Sequence, residues 1–213
     1  LLGLVLVAGP LPSHAQDRPT IIFPPPAAEI EGEIEQITLA PIFAESFVCS
    51  DHFEGQLPYA GDALGSDCLV QGIEEGGPGF YRLYRSDGRT NEDWYTFGKD
   101  VLAPVAGEVV GVNDNAVVNE PGTLGRPPAS MVQLRTQAGE IVLLAHVTDI
   151  RVKIGDAVTV GDKLAVVGNN GFARTPHIHI GAWREADDTP LQLRWDLSAP
   201  DEDGEPRDTV LVP

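Results

Sequence analysis

Thr175-Pro176-His177-Ile178-His179-Ile180-Gly181-Ala182-Trp183 is the stretch that decides the fold and locates the chemistry. The part from His177 to Trp183 reads as a β-strand, apolar and bounded upstream by a glycine-rich loop. In a strand, residues i and i+2 point to the same face. His177 and His179 therefore stand side by side. Two imidazoles so placed are costly if both are charged. They suit a site where one binds a metal and the other handles a proton. A His-x-His pair also arises from ordinary surface or core histidines, so its surroundings carry the argument.

Working upstream, Gly168-Asn169-Asn170-Gly171 is a loop, and Leu164 to Val167 before it a buried strand. Val152-Lys153-Ile154-Gly155-Asp156-Ala157-Val158 is echoed by Val160-Gly161-Asp162-Lys163-Leu164. Each Gly-Asp pair suits a tight turn, with glycine at positive φ and aspartate bonding the nearby backbone. Ile141 to Ala145 and Met131 to Thr136 are strands, and Asn119 to Ser130, with three prolines and two glycines, is a loop. Val101-Leu102-Ala103-Pro104 and Gly107 to Val112 form a further pair of β-rich runs. Shorter strands are expected at Cys68 to Gln71 and Phe80 to Tyr84, among long loops from Asp51 to Asp93. No amphipathic helix of three turns is evident. The expected class is all-β: an antiparallel sheet core with an open groove, long loops and an extended N-terminal leader.

Composition narrows the partners. The chain has 213 residues, 42% hydrophobic, and a formal net charge of −18. That acidity argues against nucleic acid, which wants a basic surface, and against docking on anionic lipid. Leu1 to Ala8 is apolar and Ser13-His14-Ala15 gives a small-x-small pattern, so 1–15 is expected to be a signal peptide whose charged start lies upstream of Leu1. The run is shorter than the ~20 residues of a membrane span, and no later segment would span a bilayer. Export to the periplasm or beyond is the expectation. Residues 16–40, rich in Pro and Glu, read as an extended leader. Residues 41–198 are the expected β domain, and 199–213, around Asp201, Glu202, Asp203 and Glu205, an acidic tail. In an oxidising compartment Cys49 and Cys68 suit one structural disulfide, the alternative being a metal-binding thiolate. Oligomeric state is open.

Residues 93–183 resemble the lysostaphin-type zinc peptidases, peptidoglycan endopeptidases, as a divergent member. The resemblance rests on the loop from Gly168 to Gly171 leading into His177-Ile178-His179, on Leu144-Ala145-His146-Val147, on the repeated Gly-Asp turns, and on Val101-Leu102-Ala103-Pro104 with Gly107-Glu108-Val109. It implies a zinc ion, with His179 as a ligand and His177 and His146 flanking the attacking water. It also implies peptidoglycan cross-link peptides as substrate.

One departure matters. The family's remaining ligands usually come from His-x-Gly-x-Asp just before the Ala-Pro strand. Here that register is Thr96-Phe97-Gly98-Lys99-Asp100, and threonine is a poor zinc ligand. Either Asp100 keeps its role in a damaged site, or the ligands lie upstream of an insertion that ends near Asn91 to Gly98. The second alternative makes Asp67 the carboxylate ligand, with His52 as third ligand and Asp62 as a competing acid. Two other functions stay open: a degenerate member that binds cell wall or activates a hydrolase, and a lipoyl-like binding module suggested by the Gly-Asp turns.

Overall fold

Buried and exposed side chains alternate in runs such as Gln36–Leu39 and Gly107–Asn113, while the runs Met131–Arg135, Glu140–Ala145 and Ile178–Arg184 are buried on both faces; both patterns produce strands. The computed structural model describes residues 23–73 and 79–198. The expected signal peptide, the first part of the leader (16–22) and the acidic tail lie outside the described residues. In chain order the strands are β1 (Gln36–Leu39), β2 (Phe47–Asp51), β3 (Ser66–Val70), β4 (Gly72–Ile73), β5 (Tyr81–Arg82), β6 (Asp100–Leu102), β7 (Gly107–Asn113), β8 (Met131–Arg135), β9 (Glu140–Ala145), β10 (Val147–Thr148), β11 (Ala157–Val158), β12 (Lys163–Val167), β13 (Ile178–Arg184) and β14 (Thr189–Trp195). Among the described residues the only helical turn is a 3-10 turn at Asn91–Asp93. No helix among them is long and apolar enough to cross a membrane.

The main sheet runs β1-β14-β13-β9-β8-β7-β11. Its pairings are antiparallel except at one edge, where β1 joins β14 in parallel. β13 is the pivot. One of its edges pairs with β9 along its length, while the other is shared: Ile178 to Ile180 pair with β3, and Ala182 to Arg184 pair with β14. Gly181 falls at the changeover. A Cβ there would collide with the backbone of Gly61, so glycine is what lets the loop after β2 lie against β13. A small second sheet, β10-β12-β6, closes over the core.

The sheet has two different faces. Ile178, Ile180 and Ala182 of β13 share the inner face with Val142 and Leu144 of β9 and with Val132 and Leu134 of β8. Their full burial is the principal stabilising term, at about 1.5–3 kcal/mol for each large aliphatic. Leu144→Ala would cost about 2–5 kcal/mol through the cavity it leaves. The opposite face carries Met131, Leu143, Ala145 and Trp183, and with them His177 and His179.

The two Gly-Asp turns form as their residues dictate. Gly155 and Gly161 have φ of 93° and 90°. The carboxylates of Asp156 and Asp162 accept the backbone N–H groups of Lys153 (3.0 Å) and Thr159 (2.6 Å). Ordered packing begins earlier than the composition of 16–40 suggests, because Ile37 and Leu39 are buried and β1 completes the sheet beside β14. Two apolar residues in alternation suffice for an edge strand, even between glutamates.

Candidate active site

Five elements bring four imidazoles around one carboxylate. Asp67 lies on β3, directly opposite His179 of β13. Cys68, next along β3, faces inward and is fully buried, so alternation turns Asp67 to the groove side. Cys68 is bonded to Cys49, its opposite number on β2. That disulfide removes both sulfurs from metal binding, and no free cysteine is present among the described residues. His52 follows β2 immediately, and its N–H continues the ladder to Gly65 O at 2.8 Å. His146 sits between β9 and β10, and His177 immediately precedes β13.

The nitrogens converge on Asp67. His179 Nδ1 is 3.0 Å from Oδ1, His177 Nε2 is 3.5 Å from Oδ1, and His52 Nε2 is 3.5 Å from Oδ2. The His146 ring lies 4.6 Å from that of His177 and 6.3 Å from that of His179, centroid to centroid. Each imidazole is anchored through its other nitrogen by a backbone carbonyl. His52 Nδ1 donates to Asp62 O (2.9 Å), His146 Nδ1 to Asn170 O (2.8 Å), His177 Nδ1 to Thr175 O (2.8 Å) and His179 Nε2 to Gly61 O (3.1 Å). A carbonyl can only accept, so each of these nitrogens carries a proton; His146 and His177 keep a lone pair on Nε2, whereas His179 also donates from Nδ1 to Asp67.

Electrostatics divides the four. Burial opposes charge on His179, yet the hydrogen bonds it donates to Asp62 and Asp67 outweigh it and raise its pKa to about 10. Burial likewise works against the Asp67 carboxylate, and the bonds from His179 and His52 still hold it well below the usual range. The Asp67 hydrogen bond lifts His52 against its own desolvation. His146 and His177 are pushed down, first by burial and in His146 also by its neighbours His177 and His179.

His52, Asp67 and His179 each offer a ligand atom, all within 4.8 Å of one another. Two imidazole nitrogens and a carboxylate are a donor set that suits zinc and leaves one tetrahedral position open. The donors are also pre-oriented by second contacts of the kind metal-binding histidines make. Asp62 stands outside this trio: its carboxylate contacts the far nitrogen of His179 at 3.0 Å, and its carbonyl orients His52. Asp100 is elsewhere, paired with Arg151 (3.1 Å) and Lys163 (3.2 Å). Thr96 is fully buried and accepts the Val70 N–H at 2.9 Å, a structural tie behind β3.

Asn170 was not singled out from sequence. Its carbonyl holds His146, its Oδ1 accepts Ser130 N–H (2.7 Å) and its Nδ2 donates to Val147 O (2.7 Å). Its place in the Gly168–Gly171 loop was the available signal. The site opens into a groove of about 760 Å³ whose lining includes Pro58, Tyr59, Leu124, Pro128 and Phe172.

Residues 93–191 match the model of peptidase family M23. That span contains His146, His177 and His179 and leaves His52 and Asp67 outside. An uncharacterised metalloprotease of Buchnera aphidicola subsp. Baizongia pistaciae is 27% identical over 86 residues, 40% of this chain and 22% of that protein. The chain thus matches about a fifth of its relative's length. Among solved structures, the catalytic domain of the prophage-encoded M23 protein EnpA from Enterococcus faecalis aligns with a TM-score of 0.45 at 20% identity, covering 71% of this chain and 91% of that one. The catalytic domain of lysostaphin from Staphylococcus simulans aligns with a TM-score of 0.36 at 20% identity, covering 51% and 87%. Residues 93–191 thus match peptidase family M23 as a divergent sequence would, over the span where the sequence resembles the lysostaphin-type peptidases.

Proposed function

We propose that this chain is an exported, zinc-dependent endopeptidase acting on the cross-link peptides of peptidoglycan. The observation that carries the reading is the convergence of His52 Nε2, His177 Nε2 and His179 Nδ1 on Asp67, each imidazole backed by a carbonyl contact at its other nitrogen. His52 Nε2, Asp67 and His179 Nδ1 would hold the metal. Bound zinc would polarise the scissile carbonyl and bring a water's pKa toward ~7. His177 Nε2, fixed as an acceptor by the Nδ1 bond to Thr175, takes the water's proton. His177 then returns that proton to the leaving amine, and His146 beside it, likewise with Nε2 available, accepts a hydrogen bond from the attacking water and orients it. The apolar groove walls keep bulk water from competing for these groups.

The degenerate reading drew on Thr96 standing where a ligand histidine is usual. His52 and Asp67, on the β2–β3 hairpin, supply an alternative pair, which favours a working centre. The test is metal content together with turnover. About one equivalent of zinc and release of new amino termini from purified peptidoglycan are expected. Bound zinc with no fragment released over a broad pH range would replace the enzyme with a cell-wall binding or hydrolase-activating protein.

A further inference from the structure

Charge along the groove points to a specific substrate feature. The protein has 32 acidic and 14 basic side chains, so a cation without an acidic neighbour is unusual. Among the described residues, every lysine and arginine but two meets a carboxylate or a backbone carbonyl. The two exceptions are Arg126 and Arg174. They lie on two loops joined by a hydrogen bond from Gly125 N–H to Ala173 O at 3.0 Å, each arginine one residue beyond it in the chain. Arg174 lines the groove, between Phe172 and the Thr175 carbonyl that orients His177.

The ground beneath these arginines is firm. Asn119 Nδ2 donates to Gly171 O and Ala173 O, both at 3.1 Å. Gly122 N–H donates to Arg174 O at 2.9 Å. Asn91 and Asn169 tie the same wall from below, through Asn169 Nδ2 to Asn91 Oδ1 (2.8 Å) and Asn91 Nδ2 to Asn119 O (2.9 Å). The backbone that carries Arg174 is thus fixed, while its guanidinium is exposed and uncommitted.

We infer that Arg174, assisted by Arg126, is a subsite for a free carboxylate of the substrate peptide. The inference rests on the peptidase reading above and names what that site recognises beside the scissile bond. Guanidinium suits carboxylate because its planar fork gives two parallel charge-assisted hydrogen bonds. Three peptide units separate Arg174 from His177, a span of at most ~11 Å. That equals about three residues of an extended peptide, so the recognised carboxylate lies within about three residues of the bond that is cut.

The test reads binding and needs no turnover. The probes are a synthetic cell-wall stem tetrapeptide with its carboxylates free, and the same peptide with every carboxylate converted to the primary amide. Neither contains a cross-link. By calorimetry on the full chain at low salt, the acid form should bind about tenfold more tightly, the lower end of what hydrogen bonds to charged groups supply. The preference should narrow as salt is raised. Arg174→Gln should abolish it, Arg126→Gln should reduce it, and Arg174→Lys should retain part of it. Equal affinities for the two probes, binding of neither, or a preference that survives Arg174→Gln would overturn the subsite. Zinc content and fragment release judge the peptidase reading separately, so the two can fail independently.

Discussion

His179 and Asp67 are paired across β13 and β3, Nδ1 to Oδ1 at 3.0 Å, though 112 positions apart in the chain. Strand register does this. A slip of one residue on either strand would turn one of the two side chains into the core. Three features pin the register: the Cys49–Cys68 bond next to Asp67, the shared edge of β13, and the close seat of the Gly61 loop against Gly181. The fold thus brings the carboxylate and the imidazole together through strand pairing.

Asp67 and Asp100 should separate cleanly on substitution. Asp67→Ala removes the one carboxylate that faces three histidines, and zinc content should fall to near zero while the fold persists. Asp100→Ala breaks half-exposed pairs with Arg151 and Lys163, which are worth about 0–1 kcal/mol. Zinc should stay at one equivalent. Elemental analysis of both purified variants decides the matter, and metal loss only in the Asp100 variant would reverse the assignment.

His177→Ala should keep zinc and lose cleavage by ~10²- to 10⁴-fold, the usual contribution of a positioned base. His177 is absent from the trio of candidate ligands, and its Nδ1 is tied to Thr175 O. The check is metal content and initial rate on the same preparation. A variant that lost zinc along with activity would make His177 a ligand.

How far the sequence reaches is shown by which residues it could join. His177 and His179 were legible as a pair because strand periodicity is local. The strands from β6 to β13 were legible because turns and β-branched runs mark their ends. β1 was not, because an edge strand needs only one apolar face and its partner β14 lies far away in the chain. Asp67 was legible only through the family-like excursion that ends near Gly98. His52 had no local sign at all, since its place beside Asp67 depends on the β2–β3 pairing and on Asp62 O, ten residues away. The anchoring carbonyls of Gly61, Asp62, Asn170 and Thr175 are invisible to any reading of side-chain types.

Removing the disulfide should weaken both fold and metal site. Cys49 and Cys68 are 19 positions apart, and closing a loop of about that length stabilises a domain by ~3 kcal/mol. His52 and Asp67 lie on the two strands so joined. The double substitution to alanine should lower unfolding free energy by about 2–4 kcal/mol and weaken zinc retention against a chelator. Urea titration and chelator competition measure the two effects. Unchanged zinc affinity in the variant would show that register holds Asp67 in place without the bond.

His146 offers a test of stored strain. It has φ of 67°, a left-handed conformation that favours glycine, between the end of β9 and the start of β10. Its N–H to Ser130 O (2.8 Å) and its carbonyl to Gly168 N–H (2.9 Å) hold it there. This turn is what swings the imidazole off the sheet toward His177. A side chain in that region costs roughly 1–2 kcal/mol. Glycine ordinarily destabilises relative to alanine by about 0.4–1 kcal/mol through unfolded-state entropy. At position 146 the order should invert or vanish: His146→Gly should be as stable as His146→Ala or more so, by up to about 1 kcal/mol. Both variants lose the imidazole and the Asn170 contact, so both should lose cleavage alike, and the stability difference isolates the backbone. Urea unfolding of the two proteins measures it. If the alanine variant proved clearly the more stable, the left-handed turn would cost nothing here, and the aim of His146 would rest on its bond to Asn170 alone.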